Sequence, residues 1–128
     1  MSQSEVITRW LDGAKRNLET ARDLVKTGHY DWALFVGQLA IEKLLKSLVI
    51  AKTNESPPLV HDLVKLADIA DIELSDQQRN DLVTITRFHI QARYDDVKYE
   101  LYKTATKEYT KDWFEKIERF YQWLEKLY

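Results

Sequence analysis

The sequence of 128 residues contains no cysteine, only two prolines and only three glycines. Without cysteine the chain has no disulfide bond, no thiolate zinc site and no cysteine nucleophile. So few glycines and prolines exclude the many tight turns of a β-sandwich. The three glycines are also far apart, so they cannot form a glycine-rich phosphate loop. Any nucleotide site must therefore use side chains carried by helices.

Neither sign of charge dominates, because 19 Lys and Arg stand against 21 Asp and Glu, for a formal net charge of −2. This balance excludes a surface coated in basic groups, although a local basic patch could still bind a polyanion. The chain start lacks the order of a signal peptide. The most apolar stretch, residues 32–51, is interrupted by polar and charged residues and does not resemble a membrane span. The length fits one core, so we predict a single cytoplasmic domain over residues 1–128.

Apolar residues recur at three- and four-residue spacing along most of the chain, which predicts helices. The first should cover about residues 3–27, and Gly28 should end it. The second, over about residues 29–52, is apolar around most of its circumference. Because such a helix packs against neighbours on several sides, we expect it at the centre of the fold, with the following loop at Pro57-Pro58 exposed.

The second half of the chain predicts three further helices. A short one should cover about residues 59–70, and a capping box at residues 75–78 should open another that ends near residue 92. Apolar residues alternate four and three apart in the last helix, about residues 105–128, as in helical bundles. Residues 94–103 are of mixed character and give no clear element. The predicted fold class is all-α, an antiparallel up-and-down bundle of four main helices plus one shorter helix.

Polar residues are unexpected on the apolar second helix. Gln38, Glu42 and Lys46 are four residues apart and lie on one side of it, whereas Lys43 falls on an apolar side. In one interpretation Glu42 and Lys46 form an ordinary ion pair worth about 0.2–0.5 kcal/mol, and Lys43 extends its ammonium group outward along apolar surface. In the other, Lys43 and Lys46 are phosphate contacts at the rim of the bundle.

Four short motifs follow one another along the chain: Gly-His-Tyr-Asp-Trp-Ala at 28–33, Gln-x-Ala-x-Glu-Lys-x-x-Lys at 38–46, His-Asp-Leu-x-x-Leu at 61–66 and Ala-Arg-Tyr at 92–94. In this order they resemble the HEPN domain (higher eukaryotes and prokaryotes nucleotide-binding), over about residues 5–126. The resemblance implies a helical bundle that usually forms a dimer and is often encoded beside a small nucleotidyltransferase, as in toxin–antitoxin pairs. Some members of the family are metal-independent ribonucleases.

The catalytic members carry an arginine, four to six residues and then a histidine, late in the bundle. Arginine can hold a phosphate through two hydrogen bonds, and histidine can act as a general acid or base near neutral pH. In the corresponding region Arg87 precedes His89 by only two positions, and no histidine follows Arg93. The motif is therefore absent in its usual form, which leaves open whether the chain is an enzyme. Arg87, His89 and Arg93 are the candidates for a variant catalytic site.

His89 and Arg93 lie four residues apart, with Tyr94 beside them, and could form a nucleotide or RNA site across a dimer axis. Alternatively, His89 packs in an interface and Arg93 pairs with Asp95 or Asp96.

His61 also has two interpretations. Its ring could bond to nearby backbone at the start of a helix, or the fold could bring it against Lys43 or Arg93. The His–Asp combinations near His29, His61 and His89 do not repeat a metal-binding spacing, so we predict no metal and no cofactor.

Most aromatic residues lie from Phe88 onward, among lysines that acidic residues offset. Tyrosine and tryptophan are common at protein interfaces, so we interpret this concentration as core plus a partner surface rather than a base-stacking surface. The aromatics exceed what one core face of the last helix needs. Together with the pairing that the resemblance implies, this predicts a homodimer.

The resulting functional hypothesis is a nucleotide- or RNA-interacting module that works with a small nucleotidyltransferase partner in a toxin–antitoxin-like system. Two alternatives remain open, a ribonuclease toxin that uses the variant Arg/His set and a purely structural dimerisation partner. Because the chain carries no net positive charge, a phosphate site needs converging basic side chains. The residues that we expect to form it are Lys43, Lys46, His61, Arg87, Arg93 and Tyr94.

Overall fold

The structure, a computed structural model, describes residues 2–128 apart from the side chains of residues 95 and 96. Within that range the chain forms helices and no strand, which confirms the all-α class. The helices are α1 (Gln3–Lys26), α2 (Tyr30–Thr53), α3 (Leu63–Ile69), α4 (Asp76–Gln91), α5 (Asp95–Thr104) and α6 (Lys107–Glu125).

The helix count differs from the prediction of four main helices plus one shorter helix. Four helices are long, but α3 with 7 residues and α5 with 10 residues are both short. The prediction left α5 unassigned because its apolar residues do not share one face of a helix. Leu101 is buried, whereas Val97, Tyr99 and Tyr102 are exposed.

Side-chain caps determine where most of these helices begin. The Ser75 capping box opens α4 as predicted. The hydroxyl of Thr106 accepts a hydrogen bond from the backbone N–H of Tyr109, so α6 begins at residue 107 rather than 105. The carboxylate of Asp62 caps α3 by accepting from the backbone N–H of Lys65 at 3.2 Å. Because α3 starts four residues later than predicted, His61 precedes the helix and belongs to the loop between α2 and α3.

Helix α2 is the centre of the fold, as its composition predicted. It contacts each of the other five helices, and most of its side chains between Ala33 and Ile50 are buried. In the loop that follows it, residues 54–56 are exposed but Pro57 and Pro58 are half-buried, so the expected exposure holds only in part. None of the helices in the described range combines the length and apolar character needed to cross a bilayer.

The aromatic residues divide between core and surface differently from what we expected. Phe114, Phe120 and Tyr121 of α6 are buried, because the apolar spacing of this helix faces the bundle. Two of the most exposed aromatics, Tyr99 and Tyr102, lie on α5 instead. The aromatic surface available to a partner is therefore largely on the short helix that the sequence did not predict.

Candidate functional site

Helix α2 carries three polar side chains into the interior of the bundle. Gln38, Glu42 and Lys46 are 0%, 5% and 6% exposed. One oxygen of the Glu42 carboxylate accepts from Lys46 Nζ at 3.0 Å, and the other accepts from Gln38 Nε2 at 3.0 Å. The predicted pair between Glu42 and Lys46 is thus confirmed, but it is buried. A buried pair costs far more to break than the surface pair that the spacing alone suggested.

His61 extends the hydrogen-bond network of the polar α2 side chains to the surface of the protein. Its Nδ1 lies 2.9 Å from Glu42 Oε1, and its backbone carbonyl accepts from Gln38 Nε2 at 3.4 Å. About half of the His61 side chain is exposed. The ring therefore bonds to a carboxylate on α2 rather than to nearby backbone, which corrects the first interpretation of this residue. One edge of the imidazole is held by Glu42, and about half of the side chain faces solvent.

His89 of α4 completes the group from the other side. Its ring stacks on that of His61, with centroids 3.9 Å apart and planes 21° from parallel. The ring of Phe35 lies 5.5 Å away from it on α2, and only 5% of His89 is exposed. We call this group the polar cluster, and its members are Gln38, Glu42, Lys46, His61 and His89.

Two members of the polar cluster have shifted pKa values. Burial by itself would raise the pKa of Glu42, but hydrogen bonds from Gln38, Lys46 and His61 outweigh it and lower the pKa below its usual value. Burial lowers the pKa of His89, and electrostatic interactions with His61, Arg93 and Lys46 lower it further against the opposing effect of Glu42. At neutral pH Glu42 is therefore ionised and His89 is neutral.

This shift predicts that the protein loses stability in mild acid. The unfolded chain binds a proton at His89 near pH 6.5, whereas the folded chain resists it. The free energy of unfolding should therefore be fully retained above about pH 6.5 and fall as the pH drops toward the lower folded pKa of His89. The Glu42 contribution is lost only at lower pH, below its usual pKa.

Urea unfolding between pH 7.5 and 5.5 measures this effect. The His89→Gln variant should show a smaller decrease in stability over that range than the parent. The matched control is His29→Gln, because His29 is exposed, and it should retain the full decrease. Equal slopes for the parent and His89→Gln would contradict the prediction.

The other residues proposed from the sequence do not all converge on the polar cluster. Lys43 packs across Gly13 of α1, where a Cβ added to that glycine would lie 3.2 Å from Lys43 Cδ. Arg87 is exposed and, two positions from His89, lies on a different side of α4. Arg93 is exposed just beyond the end of α4, close enough to affect the pKa of His89. Its proposed pairing with residues 95 and 96 lies outside the described side chains.

Tyr94 stands at the N-cap position of α5, makes no side-chain capping bond and is 58% exposed. It directly follows Arg93 in the Ala-Arg-Tyr motif. The structure therefore joins Lys46, His61 and His89 through Glu42 and the stacked rings, places Arg93 near enough to lower the pKa of His89, and leaves Lys43 on the α1 side.

Gln38 and Glu42 were not predicted as site residues, although the sequence placed them on one side of α2. The available signal was a polar residue repeated every four positions on a helix that is otherwise apolar. The contribution of Trp10 was also missed. Its ring lies 5.7 Å from Lys46 Nζ, a contact between α1 and α2 that no local spacing predicts.

Three members of the polar cluster are potential metal ligands. Glu42, His61 and His89 each offer an atom, and these atoms lie within 4.8 Å of one another. However, both Glu42 oxygens already accept hydrogen bonds, and Lys46 already supplies the positive charge that a metal would bring. The two imidazoles also stack on each other. The contacts therefore describe a hydrogen-bonded charge network, and the absence of a metal stays a prediction.

The chain is similar to a known protein family and to a solved structure. The sequence profile of the HEPN domain matches residues 7–127. The structure resembles the crystal structure of TT1696 from Thermus thermophilus, with a TM-score of 0.78 over 94% of this chain and 96% of that one. The two sequences are 21% identical, so this likeness concerns the fold. No curated protein is significantly similar to the chain in sequence.

Proposed function

Because the chain belongs to the HEPN domain family, we propose that it binds the phosphate group of a nucleotide or an RNA where the polar cluster reaches the surface. We further propose that it acts beside a small nucleotidyltransferase, in a toxin–antitoxin-like pair. The observation that supports phosphate binding is a buried network of charged groups that opens to solvent at His61, half of whose side chain is exposed.

Stability alone does not account for such a network. An ion pair moved out of water often stabilises a protein less than apolar residues of similar volume would. Gln38 Oε1 is also buried and accepts no hydrogen bond from the described residues, which is costly in an interior. The network does fix His61, because Glu42 holds Nδ1 and His89 stacks on the ring. Its role in the proposal is to present the Nε2 edge of His61 in one orientation.

Arg93 supplies the exposed positive charge of the proposed site. It lies close enough to His89 to affect its pKa, and His89 stacks on His61. A guanidinium group can bind two oxygens of one phosphate. His61 would donate a hydrogen bond from Nε2 when its ring carries both protons, since its Nδ1 donates to the Glu42 carboxylate. The proposed phosphate site is smaller than the set of residues expected from the sequence. Lys43 packs against α1, and Arg87 lies on a different side of α4 from His89.

Removing Arg93 should weaken phosphate binding by about 10-fold to 100-fold, the value of a hydrogen bond between charged groups. Calorimetric titration with adenosine 5′-monophosphate (AMP) measures this for Arg93→Ala. Arg93→Lys should also weaken binding, because an ammonium group cannot form the two-pronged contact.

The matched control for this titration is Arg16→Ala, which removes the same charge from an exposed position on α1. It should bind AMP like the parent. If Arg93→Ala and Arg16→Ala both bind like the parent, Arg93 is not part of the site and the proposal is wrong.

The position of His89 favours binding over RNA cleavage. A general acid or base must reach the reacting atoms, and His89 is only 5% exposed beneath His61. Arg87, the second member of the variant catalytic set, lies on a different side of α4. An RNA cleavage activity of the purified chain that disappears in His89→Gln would contradict this part of the proposal.

The protein partners are proposed to bind the exposed aromatic surface of α5. Tyr94, Tyr99 and Tyr102 are 58%, 63% and 65% exposed, and the last two rings stack with centroids 6.3 Å apart. Exposed aromatics of this kind are common at protein interfaces. We expect light scattering to give the mass of a homodimer for the parent and of a single chain for a Tyr99→Ser, Tyr102→Ser variant. A single-chain mass for the parent at micromolar concentration would contradict the dimer.

A further inference from the structure

Beside the polar cluster lies a cleft with the composition of a base-binding site. It has a volume of about 420 Å³ and lies between the start of α1 and the loop after α2, within the range typical of small-molecule pockets. Its apolar lining includes Val6, Trp10 and Ile50, and its polar lining includes Gln3, Lys46, Asn54 and Glu55. We propose that this cleft holds the base of the nucleotide whose phosphate is bound at His61 and Arg93. This inference rests on the proposed function.

Lys46 connects the cleft to the polar cluster. Its Nζ donates to Glu42 at 3.0 Å and also lies 5.7 Å from the centroid of the Trp10 ring, and the residue lines the cleft. The carboxylate that Lys46 binds also binds His61. The cleft and the polar cluster therefore share Lys46, and the proposal places the planar group of one ligand in the cleft with its phosphate on the His61 side.

An aromatic ring and two amides of the cleft suit the face and the edge of a nucleobase. Trp10 is half-buried, so part of its ring is covered by protein and part is available for stacking, which is tolerant of base identity. The amides of Gln3 and Asn54 each carry both donors and acceptors, as the edge of a base requires. Gln3 is already anchored, since its Nε2 donates to the Ile50 carbonyl at 3.0 Å.

The loop that forms the other wall of the cleft is also held in place. Asn54 adopts a left-handed conformation with φ of 60° directly after α2, and its backbone N–H donates to the Ile50 carbonyl. Farther along the loop, Leu59 lines the cleft and is 97% exposed. The base would therefore enter a site whose walls are tethered to the same carbonyl of α2, with an apolar side chain at the rim.

The test compares AMP, ribose 5-phosphate and adenosine by calorimetric titration of the whole chain. AMP should bind about 5-fold to 100-fold more tightly than ribose 5-phosphate, the value of stacking one base on an aromatic ring. Trp10→Leu should reduce AMP affinity to that of ribose 5-phosphate and leave ribose 5-phosphate binding unchanged. Trp10→Phe, which keeps a ring, should retain most of the difference.

The matched control is Trp32→Leu, because Trp32 is also partly exposed and also has a lysine over its ring, with Lys98 Nζ at 4.8 Å. It should leave all three affinities unchanged.

Equal binding of AMP and ribose 5-phosphate to the parent would overturn the cleft but not the phosphate site. If Trp10→Leu lowered the affinities for AMP and for ribose 5-phosphate equally, the base site in the cleft would also be overturned, since Trp10 would then act only through Lys46. Adenosine binding that Trp10→Leu abolishes, without any binding of ribose 5-phosphate, would support the cleft and overturn the phosphate site. No binding of any of the three would overturn both.

Discussion

Replacing Glu42 with glutamine is expected to lower the free energy of unfolding by about 3–5 kcal/mol, the usual cost of leaving a buried charge without its partner. Lys46 is 6% exposed and its Nζ lies 3.0 Å from the carboxylate. Glutamine keeps the shape and an acceptor for Gln38 but removes the charge that Lys46 requires. Urea unfolding monitored by circular dichroism measures the loss.

A second substitution tests whether the burial of charge is the cause. Glu42→Leu combined with Lys46→Met removes both charges, and an apolar pair of similar volume can replace a buried ion pair at little cost. The double variant should therefore be more stable than Glu42→Gln. The surface control is Asp68→Asn, whose partner Arg79 lies at 2.9 Å with both side chains about half-exposed. It should lose far less stability than Glu42→Gln, because exposed ion pairs contribute little. A Glu42→Gln variant as stable as Asp68→Asn would contradict the buried pair.

Replacing Gly37 with leucine is expected to destabilise the fold by about 3 kcal/mol or more, at the upper end of what overfilled cores lose. Gly37 lies on α2 where α6 approaches, and a Cβ at this position would already be 3.0 Å from Ile117 Cδ1 and 3.4 Å from its Cγ2. Three additional carbons cannot fit unless the two helices separate. Thermal unfolding of the variant measures the effect.

Gly13→Ala is the matched control for this substitution. Its Cβ would meet Lys43 Cδ at 3.2 Å, which belongs to a flexible side chain that can move toward water. Because alanine in a helix interior is favoured over glycine by about 0.5–1 kcal/mol, this variant should be as stable as the parent or more stable. A Gly37→Leu variant with the parent's melting temperature would contradict the close approach of α2 and α6.

The periodicity of the chain was sufficient to predict the all-helical class and the central position of α2, because both depend on how apolar residues repeat within one helix. It was insufficient for α5, where only Leu101 of the larger apolar residues is buried. It also missed the late start of α3, since the Asp62 cap outweighs the apolar residues before it.

The candidate site shows the same limit more clearly. The spacing of Glu42 and Lys46 predicted their contact, but it could not show that the pair is buried, because burial depends on which helices cover that side of α2. The stacking of His61 on His89 joins a loop to a helix far along the chain, and no spacing rule connects them. The position of Lys43 against α1 is likewise a consequence of tertiary packing, whereas the separation of Arg87 from His89 follows from the geometry of α4 itself.

The most direct test of phosphate binding at the polar cluster is an NMR titration of the nitrogen-15-labelled chain with AMP, which follows the histidine ring and arginine side-chain signals. We predict that the signals of His61 and Arg93 shift together with a single dissociation constant, while those of His29 and Arg16 stay unchanged. Saturable binding of AMP that leaves the His61 and Arg93 signals in place would contradict phosphate binding at this site.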